Sequence, residues 1–333
     1  MDRPGALNRV RSAVRDFAAA YLPDADRWCV ALSGGPDSLA LTAAAAGVRP
    51  TTALIVDHGL QPGSDAVARS AAELATSLGC VGAQIITVQV GTAGGPEGAA
   101  RTARYAALED ARAGAPVLIG HTLDDQAETV LLGLGRGSGP RSIAGIRPYD
   151  APWCRPLLAL RRADTEAACA ELDITAWRDP HNADPRYTRV RLRAEVLPLL
   201  EEVLGGGVAE ALARTATALR SDGDLLDALA DQALAGSRAA DGGPGLPVAA
   251  LAPLPEPIRL RVIRGWLRAG GAVRLTAKQI LAVDALVVAW KGQGGVAVGS
   301  ELAGQRLFAG RRDGVLTLYS EPLGGSPAPG MAT

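Results

Sequence analysis

Two short strings in this 333-residue chain carry residue types suited to chemistry. The first is Ser33-Gly34-Gly35-Pro36-Asp37-Ser38, set between the apolar run Trp28 to Leu32 and a Leu/Ala-rich stretch closed by Gly47. Two glycines let a backbone approach an anion and turn its N–H groups outward. The positive end of a following helix adds to that attraction. Ser33 and Ser38 can donate hydroxyl hydrogen bonds to phosphate oxygens. No Gly-Lys-Ser/Thr follows, so the string is not a Walker A loop. Asp37 has no structural need to be acidic in a phosphate-binding loop. The second string is Gly120-His121-Thr122-Leu123-Asp124-Asp125-Gln126-Ala127-Glu128-Thr129. If Asp125 enters a helix, Glu128 lies one turn away on the same face. Two such carboxylates near an anion site can hold a metal or an ammonium group. A capped helix start explains the same acids, because negative charge favours that end of the helix dipole. His121 is open in the same way, to a ligand or to a buried hydrogen bond.

The elements that must position these strings alternate. Trp28 to Leu32, Thr52 to Val56, Gln84 to Val90 and Pro116 to Ile119 read as strands. Ser38 to Ala46, 64–79, Ala99 to Ala113 and Asp124 to Leu134 read as helices, with a Gly-rich loop over Gly91 to Gly98. Regular alternation predicts an α/β fold with a doubly wound parallel sheet. Ligands in such sheets bind beyond the carboxyl ends of the strands, where both strings fall. Leu192 to Leu204 reads as a helix broken by Gly205-Gly206-Gly207, which places a domain boundary at 204/205. Val208 to Leu234, Ile258 to Ala269 and Thr276 to Ala289 predict a smaller, mainly helical C-terminal domain over 205–320. Gly242 to Gly245 reads as a turn or linker, and Val296 to Ser300 with Val315 to Tyr319 as a closing hairpin. Residues 321–333 read as a disordered tail.

Composition limits the classes. The chain is 48% hydrophobic and 21% charged, enough apolar material for a sizeable core. No apolar run is long enough to span a membrane, and no apolar leader segment opens the chain, so a cytoplasmic protein with reduced thiols is expected. Cys29, Cys80, Cys154 and Cys169 form no C-x-x-C pair, which argues against a zinc ribbon, an iron–sulfur cluster and a dithiol redox site. The net charge of −1 hides a segregation. Residues 136–193 hold 11 basic and 7 acidic side chains, and 251–312 hold 10 and 3. Two basic blocks point to a polyanion; solvated faces are the plain alternative.

The Ser-Gly-Gly-x-Asp-Ser string after an apolar strand resembles the PP-loop of the N-type ATP pyrophosphatases, whose fold is adenine nucleotide alpha hydrolase-like. That resemblance implies ATP cleaved to AMP and pyrophosphate, bound by Ser33, Gly34, Gly35, Pro36, Asp37 and Ser38, with Asp37 helping to hold Mg²⁺. Gly-His-x-x-Asp-Asp-x-x-Glu-Thr at 120–129 resembles the tRNA-modifying branch. Val56-Asp57-His58-Gly59-Leu60, Glu97 with Ala100-Arg101 and Arg104-Tyr105, Arg136-Gly137-Ser138-Gly139, Ala-Gly-Ile at 144–146 and Trp153-Cys154-Arg155-Pro156-Leu157-Leu158 follow in the order of the tRNA(Ile)-lysidine synthetase family. So do Asp179, Asn182, Tyr187, Arg189, Arg191 and Arg193. The similarity covers 28 to about 200 and is weaker beyond, where 251–318 resembles the family's first C-terminal, substrate-binding domain. Gln61, Ile146 and Val190 depart from the pattern; the first weakens a phosphate or tRNA contact, and none removes a group assigned to chemistry.

The resemblance implies that C2–O of the wobble cytidine in tRNA(Ile) with a CAU anticodon attacks the α-phosphate of ATP, and that the amine of L-lysine then displaces AMP to give lysidine. It implies phosphate or base contact from Arg101, with a surface helix arginine as the alternative, and nucleotide contacts from Asp57, His58, Gly120 and His121. Lysine and cytidine fall to Asp124, Asp125, Glu128 and Arg104, with Asp124 or Asp125 as general base if not as ammonium partner. Arg136, Arg189, Arg191 and Arg193 would line the tRNA entrance, and a homodimer stays open. A tRNA thiolase of the same superfamily would carry paired cysteines. An amide-forming ligase for a small molecule would lack the arginine-rich 179–193 segment. Intact Asp37, Arg101, Asp125 and Glu128 argue against an inactive tRNA-binding paralogue.

Overall fold

The computed structural model describes residues 5–322, apart from 60, 62, 92–94, 138, 178, 180–183, 238–243, 301–303 and the side chains of 96 and 97. Leu60, Ser138, Asn182, Gly242, Gly243, the Glu97 side chain and the expected disordered tail beyond 322 therefore lie outside the described residues. The chain divides into two compact units, Met1–Leu219 and Arg220–Thr333.

The first unit begins with α1 (Ala6–Tyr21). It continues with β1 (Trp28–Ala31), α2 (Pro36–Ala46), β2 (Thr51–Asp57), α3 (Ser64–Ser77), β3 (Gly82–Thr87), α4 (Gly95–Ala111) and β4 (Val117–Leu118). Next come α5 (Leu123–Arg136), α6 (Pro140–Ile143), β5 (Tyr149–Asp150), β6 (Trp153–Cys154) and α7 (Arg162–Glu171). The described sheet runs β3-β2-β1-β4-β6-β5. Every pairing is parallel except β5 with β6. β1 lies between β2 and β4, so the chain leaves β1 on one side and returns on the other. The crevice that this reversal opens sits at the carboxyl ends of β1 and β4. The central strands β1 and β4 are apolar on both faces because helices cover both, whereas the edge strand β3 is largely exposed. Val30 and Leu32 join Leu39 and Leu41 of α2 and Val10, Val14 and Phe17 of α1 in one cluster. Cys29, Leu54 and Val117 meet Leu108 of α4 in another.

Two helices extend the sequence reading. α1 repeats buried side chains at Ala6, Val10, Val14, Phe17 and Ala18, a helical spacing. It docks on α7, where Glu171 accepts from the N–H of Ala6 (2.5 Å) and of Leu7 (3.0 Å), and Arg9 pairs with Asp164 at 2.6 Å. Near the end of the unit, α8 (Thr188–Arg191) runs through a π-helical turn at Leu192–Val196 into α9 (Leu197–Val203). Pro198 supplies no N–H to the preceding turn, and the Leu197 N–H reaches back to the Leu192 carbonyl. α10 (Val208–Gly236) begins in this unit and crosses the Leu219/Arg220 division.

The second unit adds β7 (Leu246–Pro247), α11 (Val248–Leu251), α12 (Glu256–Ala269), β8 (Ala272–Val273), α13 (Ala277–Val288), β9 (Val296–Ser300), β10 (Gln305–Arg312) and β11 (Val315–Pro322). Its antiparallel sheet runs β7-β11-β10-β9-β8. The expected hairpin of 296–300 with 315–319 is corrected here: β10 lies between those strands and pairs with both. β10 escaped the sequence reading because Arg306, Gly310, Arg311 and Arg312 dilute its apolar alternation. The unit keeps its helices and adds a fuller antiparallel sheet to them. Its core gathers Val262, Ile263, Trp266 and Leu267 of α12 with Leu286 of α13 and Leu307 and Leu316 of the sheet.

α5 carries the acidic string, and one glycine fixes where it lies. A Cβ on Gly133 would run into the Ser142 backbone carbonyl, whereas one on Gly135 would meet nothing within 4 Å. Replacing Gly by Ala in a helix gains about 1 kcal/mol of propensity. Overpacking against backbone costs typically about 1–3 kcal/mol. Gly135→Ala should therefore raise the urea midpoint and Gly133→Ala should lower it. Equal shifts in the two unfolding curves would rule out this close approach.

Candidate active site

The loop after β1 makes the first wall. Gly34 takes φ +82°, a conformation open to glycine, and Gly35 precedes Pro36 at the first position of α2. The first turn of a helix leaves N–H groups without intrahelical partners, and here the loop presents them at the crevice. Ser38 Oγ accepts from the Ser33 N–H at 3.2 Å, donates to the Gly35 carbonyl at 2.9 Å and lies 3.2 Å from Ser33 Oγ. Gly120, beyond β4, must be small: a Cβ there would lie 3.0 Å from the Asp37 carbonyl. The two strings read separately from the sequence thus touch across the β1/β4 crevice.

α5 makes the second wall. Thr122 caps it, and Asp125 three residues on accepts from the Thr122 N–H at 2.8 Å and its hydroxyl at 3.0 Å. This is the capped-helix reading, and it uses only Oδ2. Oδ1 of Asp125 accepts from Arg162 Nη2 at 3.1 Å. Glu128, one turn on, is fully buried. Its Oε1 accepts from Arg193 Nε at 2.7 Å, while its Oε2 accepts no hydrogen bond among the described residues. Arg189 Nη1 lies 3.7 Å from Oε2, and Arg189 Nη2 donates to Thr129 at 3.3 Å. Asp37 accepts from Arg162 Nε at 3.2 Å and from the Thr165 hydroxyl. Arg162 thus bridges Asp37 and Asp125, with Nη1 3.8 Å from Glu128.

Asp124 faces elsewhere. Its Oδ2 accepts from the Arg162 backbone N–H at 2.7 Å and its Oδ1 pairs with Arg161 at 3.2 Å. Sequence reasoning left Arg161, Arg162 and Thr165 unassigned. Their one signal was a double arginine just past Arg155-Pro156-Leu157-Leu158. Arg191 pairs within its own helical segment, with Glu195 at 2.9 Å, and Arg136 is exposed at the end of α5. Of the arginines expected at a tRNA entrance, Arg189 and Arg193 also reach Glu128. Arg101 is exposed, bonds the Tyr105 hydroxyl at 3.3 Å and stacks over its ring with Arg104 on the same tyrosine. Asp57 accepts from the Gly59 N–H at 3.0 Å. Gln61 donates to Asp179 at 3.0 Å, and the Trp177 N–H reaches the Gly34 carbonyl at 3.0 Å, so Trp177 borders the phosphate loop.

The charges are set by burial against guanidinium. Burial raises the Asp37 and Glu128 carboxyls, and Arg162 and Arg193 respectively offset part of that rise. Burial also pushes Asp125 upward, but Arg162, the Thr122 hydrogen bonds and His121 outweigh it and hold Asp125 below the usual range. Burial lowers His121 to about 4, opposed by Asp125 and helped by Arg155, Arg104 and Arg101. His58 is lowered by burial and then by Arg104. Both imidazoles keep a buried Nδ1 without a hydrogen bond among the described residues. Both are neutral at pH 7.

Among the described residues no group of three or more His, Cys, Asp or Glu side chains converges on a metal. The Asp37–Asp125 pair nevertheless suits a hard cation such as Mg²⁺. Both carboxylates already surround one positive charge, the Arg162 guanidinium, and Mg²⁺ commonly takes one or two carboxylates with phosphate and water completing its shell. The four cysteines are buried and free; Cys29, Cys154 and Cys169 each bond a different backbone carbonyl.

The chain matches the family described as a PP-loop domain over residues 7–200 and the TilS substrate binding domain over 246–313. It is 71% identical over 323 residues to a tRNA(Ile)-lysidine synthase of Mycolicibacterium paratuberculosis, covering 97% of this chain and 100% of that one. It is 68% identical to the same-named protein of Mycobacterium tuberculosis H37Rv, with the same coverage. The Rhodococcus jostii relative is 56% identical, over 94% of this chain and 95% of its own. Among solved structures, the U34-tRNA thiolase NcsA from Methanococcus maripaludis with its [4Fe-4S] cluster superposes with a TM-score of 0.51 at 17% identity. That match covers 64% of this chain and 79% of that one, and it shows a shared fold.

His121 yields a pH test. Its pKa is about 4 when folded against an ordinary 6.5. Between those values the unfolded chain binds more protons, so His121 makes stability fall as pH drops through this window and contributes nothing above it. Subtracting the His121→Gln stability curve from the wild-type curve should leave a difference that grows from pH 7 to pH 5. A flat difference by urea unfolding would refute the neutral buried imidazole.

Proposed function

The chain belongs to the tRNA(Ile)-lysidine synthase family and forms lysidine on tRNA(Ile), and from that premise we propose which of its residues carry each step. One observation supports the reading most: Asp37 of the phosphate loop and Asp125 of α5 meet on a single guanidinium, so a triphosphate anchor adjoins an acidic subsite. ATP lies in the β1/β4 crevice with its phosphates against residues 33–38 and the start of α2, and Gly120 keeps the opposite wall close. Asp57, His58 and His121 border the nucleotide at the ends of β2 and β4. Bound Mg²⁺ supplies charge neutralisation at the phosphates, and Asp37, faced by Asp125, is the side chain that holds it.

The wobble cytidine leaves its stack to reach this point, a small cost for a base in a single-stranded anticodon loop. Its C2 oxygen attacks the α-phosphorus; the α–β P–O bond breaks and pyrophosphate departs. Negative charge builds on phosphate oxygens in that step, and the loop N–H groups together with Arg101 stabilise it. Arg104, on the same helix face, contacts the base. The Nε of L-lysine then attacks C2, the C2–O2 bond breaks, and AMP leaves with O2. Asp125 and Glu128 hold the incoming ammonium. Asp124 is committed to Arg161 and to the Arg162 backbone, which leaves it no part in proton transfer. Glu128 takes the amine proton: burial makes its carboxylate the more basic of the two, whereas Asp125 is held acidic.

Residues 205–320 are proposed to grip the tRNA outside the anticodon. Part of the basic charge there is structural. Arg259 bonds Asp284 at 2.6 Å, Arg261 bonds Asp227 at 2.8 Å, and Arg311 caps α13 through the Leu286 carbonyl. The exposed cations Arg268, Arg274, Lys278, Lys291, Arg306 and Arg312 remain for phosphate contact. Arg136 and Arg191, exposed on the first unit, extend that reading to the entrance. Among the described residues no helix is long and apolar enough to cross a membrane.

Incubating unmodified tRNA(Ile) bearing CAU with the protein, Mg²⁺, ATP and lysine should give a wobble nucleoside heavier by one condensed lysine, absent when ATP or lysine is omitted. Asp37→Asn should slow pyrophosphate release about a hundredfold, the scale of losing one preorganised electrostatic group. Asp125→Asn should mainly raise the KM for lysine. ATP cleavage without lysine incorporation would send the assignment to another nucleophile. Tight tRNA binding with no chemistry would make the chain a binding paralogue.

A further inference from the structure

The guanidinium of Arg162 lies where the substrate cations are needed. Three buried or part-buried carboxylates face it: Asp37 through Nε at 3.2 Å, Asp125 through Nη2 at 3.1 Å and Glu128 through Nη1 at 3.8 Å. Asp37 has one oxygen on Thr165 and the other on Arg162. Asp125 has one oxygen on Thr122 and the other on Arg162. The inward oxygens of both are thus occupied by one donor. A divalent cation or an ammonium cannot share those lone pairs with a guanidinium at the same spot; two positive charges a few ångströms apart in a partly desolvated site repel strongly.

We propose that Arg162 is a placeholder cation, which neutralises the empty carboxylate cluster and must swing off Asp37 and Asp125 before a substrate cation can take them. The backbone is built for a side-chain movement of this kind. Arg162 opens α7, its N–H is pinned by Asp124 at 2.7 Å, and α7 is clamped to α1 through Glu171 and the Arg9–Asp164 pair. Only the side chain is left to move. Arg162 is a positioning residue in this account. It keeps three like charges tolerable in one place, and it imposes a cost on any cation that enters without the rest of the substrate.

The inference rests on reading these carboxylates as the cation subsite, and its signature is a change of sign. A residue that merely supported the site would weaken cation binding when removed. A placeholder strengthens it, because the protein then no longer spends most of its time in the occupied, incompetent state. Mn²⁺ binding to the full-length protein, without ATP or tRNA, can be followed by water-proton relaxation and by calorimetry. Arg162→Met should bind Mn²⁺ about tenfold more tightly than wild type, the gain expected if one molecule in ten is competent before the change. Arg162→Gln, which keeps a hydrogen-bond donor without the charge, should do the same and serves if the methionine variant does not fold. Arg162→Lys should stay near wild type. Adding Asp37→Asn to Arg162→Met should abolish the gain. Binding that is unchanged or weaker in the folded neutral variants would overturn the proposal, as would a gain that survives Asp37→Asn. Lysine incorporation by wild type tests the underlying reading separately, so either can fail without the other.

Discussion

Burying like charges together is the constraint around which this site is organised. Asp37, Asp125 and Glu128 lie close together around Arg162, and each is largely shielded from the water that would solvate it. Isolated, a buried carboxylate would take up a proton rather than stay charged. The chain meets the constraint with three arginines drawn from 162–193, a segment remote in sequence from the acids. Arg162 bridges Asp37 and Asp125, Arg193 holds Glu128, and Arg189 stands beside it. The three acids and three arginines balance. A ligand set that brings both a polyanion and cations into the crevice can therefore bind without leaving a large uncompensated charge.

The fold supplies what the balance requires. β1 and β4 are neighbours, so their carboxyl ends place the phosphate loop against the Gly120 turn, and the first turns of α2 and α5 start at the same crevice. Positive helix ends favour the carboxylates of Asp37, Asp124 and Asp125 before any arginine is counted. The arginines then come from two further elements held by independent contacts. α7 is anchored by α1, and the π-helical turn that Pro198 imposes carries Arg193 to Glu128. A regular α-helix through 188–203 would rotate the following residues by a fraction of a turn, and Arg193 would meet a different neighbour.

Much of this was legible in the sequence. The apolar strands ending in Ser33-Gly34-Gly35 and Gly120-His121 marked the crevice, because buried parallel strands are apolar throughout and stop at polar loops. Asp125 and Glu128 followed from helical spacing. What could not be read was side-chain direction over long sequence separations. Arg189 and Arg193 read as a basic stripe in the sequence, and the structure adds that both also reach the buried Glu128, since an arginine's reach lets it serve a buried acid as readily as a phosphate. The basic block at 251–312 was misleading in part for the same reason: Arg259, Arg261 and Arg311 hold the second unit together. β10 was missed because its charges interrupt the period-2 pattern. The thiols carried less information than their number suggested; all four are buried as small apolar groups.

Two pairs of identical neighbours show how finely direction decides role. Asp124 and Asp125 are adjacent, as are Arg161 and Arg162, and residue type cannot tell either pair apart. Successive residues at a helix start point about 100° apart, so only one of each pair can face the crevice. Asp125 and Arg162 do. Asp124 and Arg161 face outward and pair with each other, and Arg161 also reaches Glu210 of α10 at 2.9 Å. Glu201 secures the same helix start by accepting from the N–H groups of Val208 and Ala209. The outer pair thus ties α5, α7 and α10 into one frame, and that frame fixes the backbone from which the inner pair works. Asp124 spends both its oxygens on this frame, one on Arg161 and one on the Arg162 backbone. The choice between them is open in the sequence, and the partners of each oxygen are what support giving Asp125 the chemical part in the proposed function.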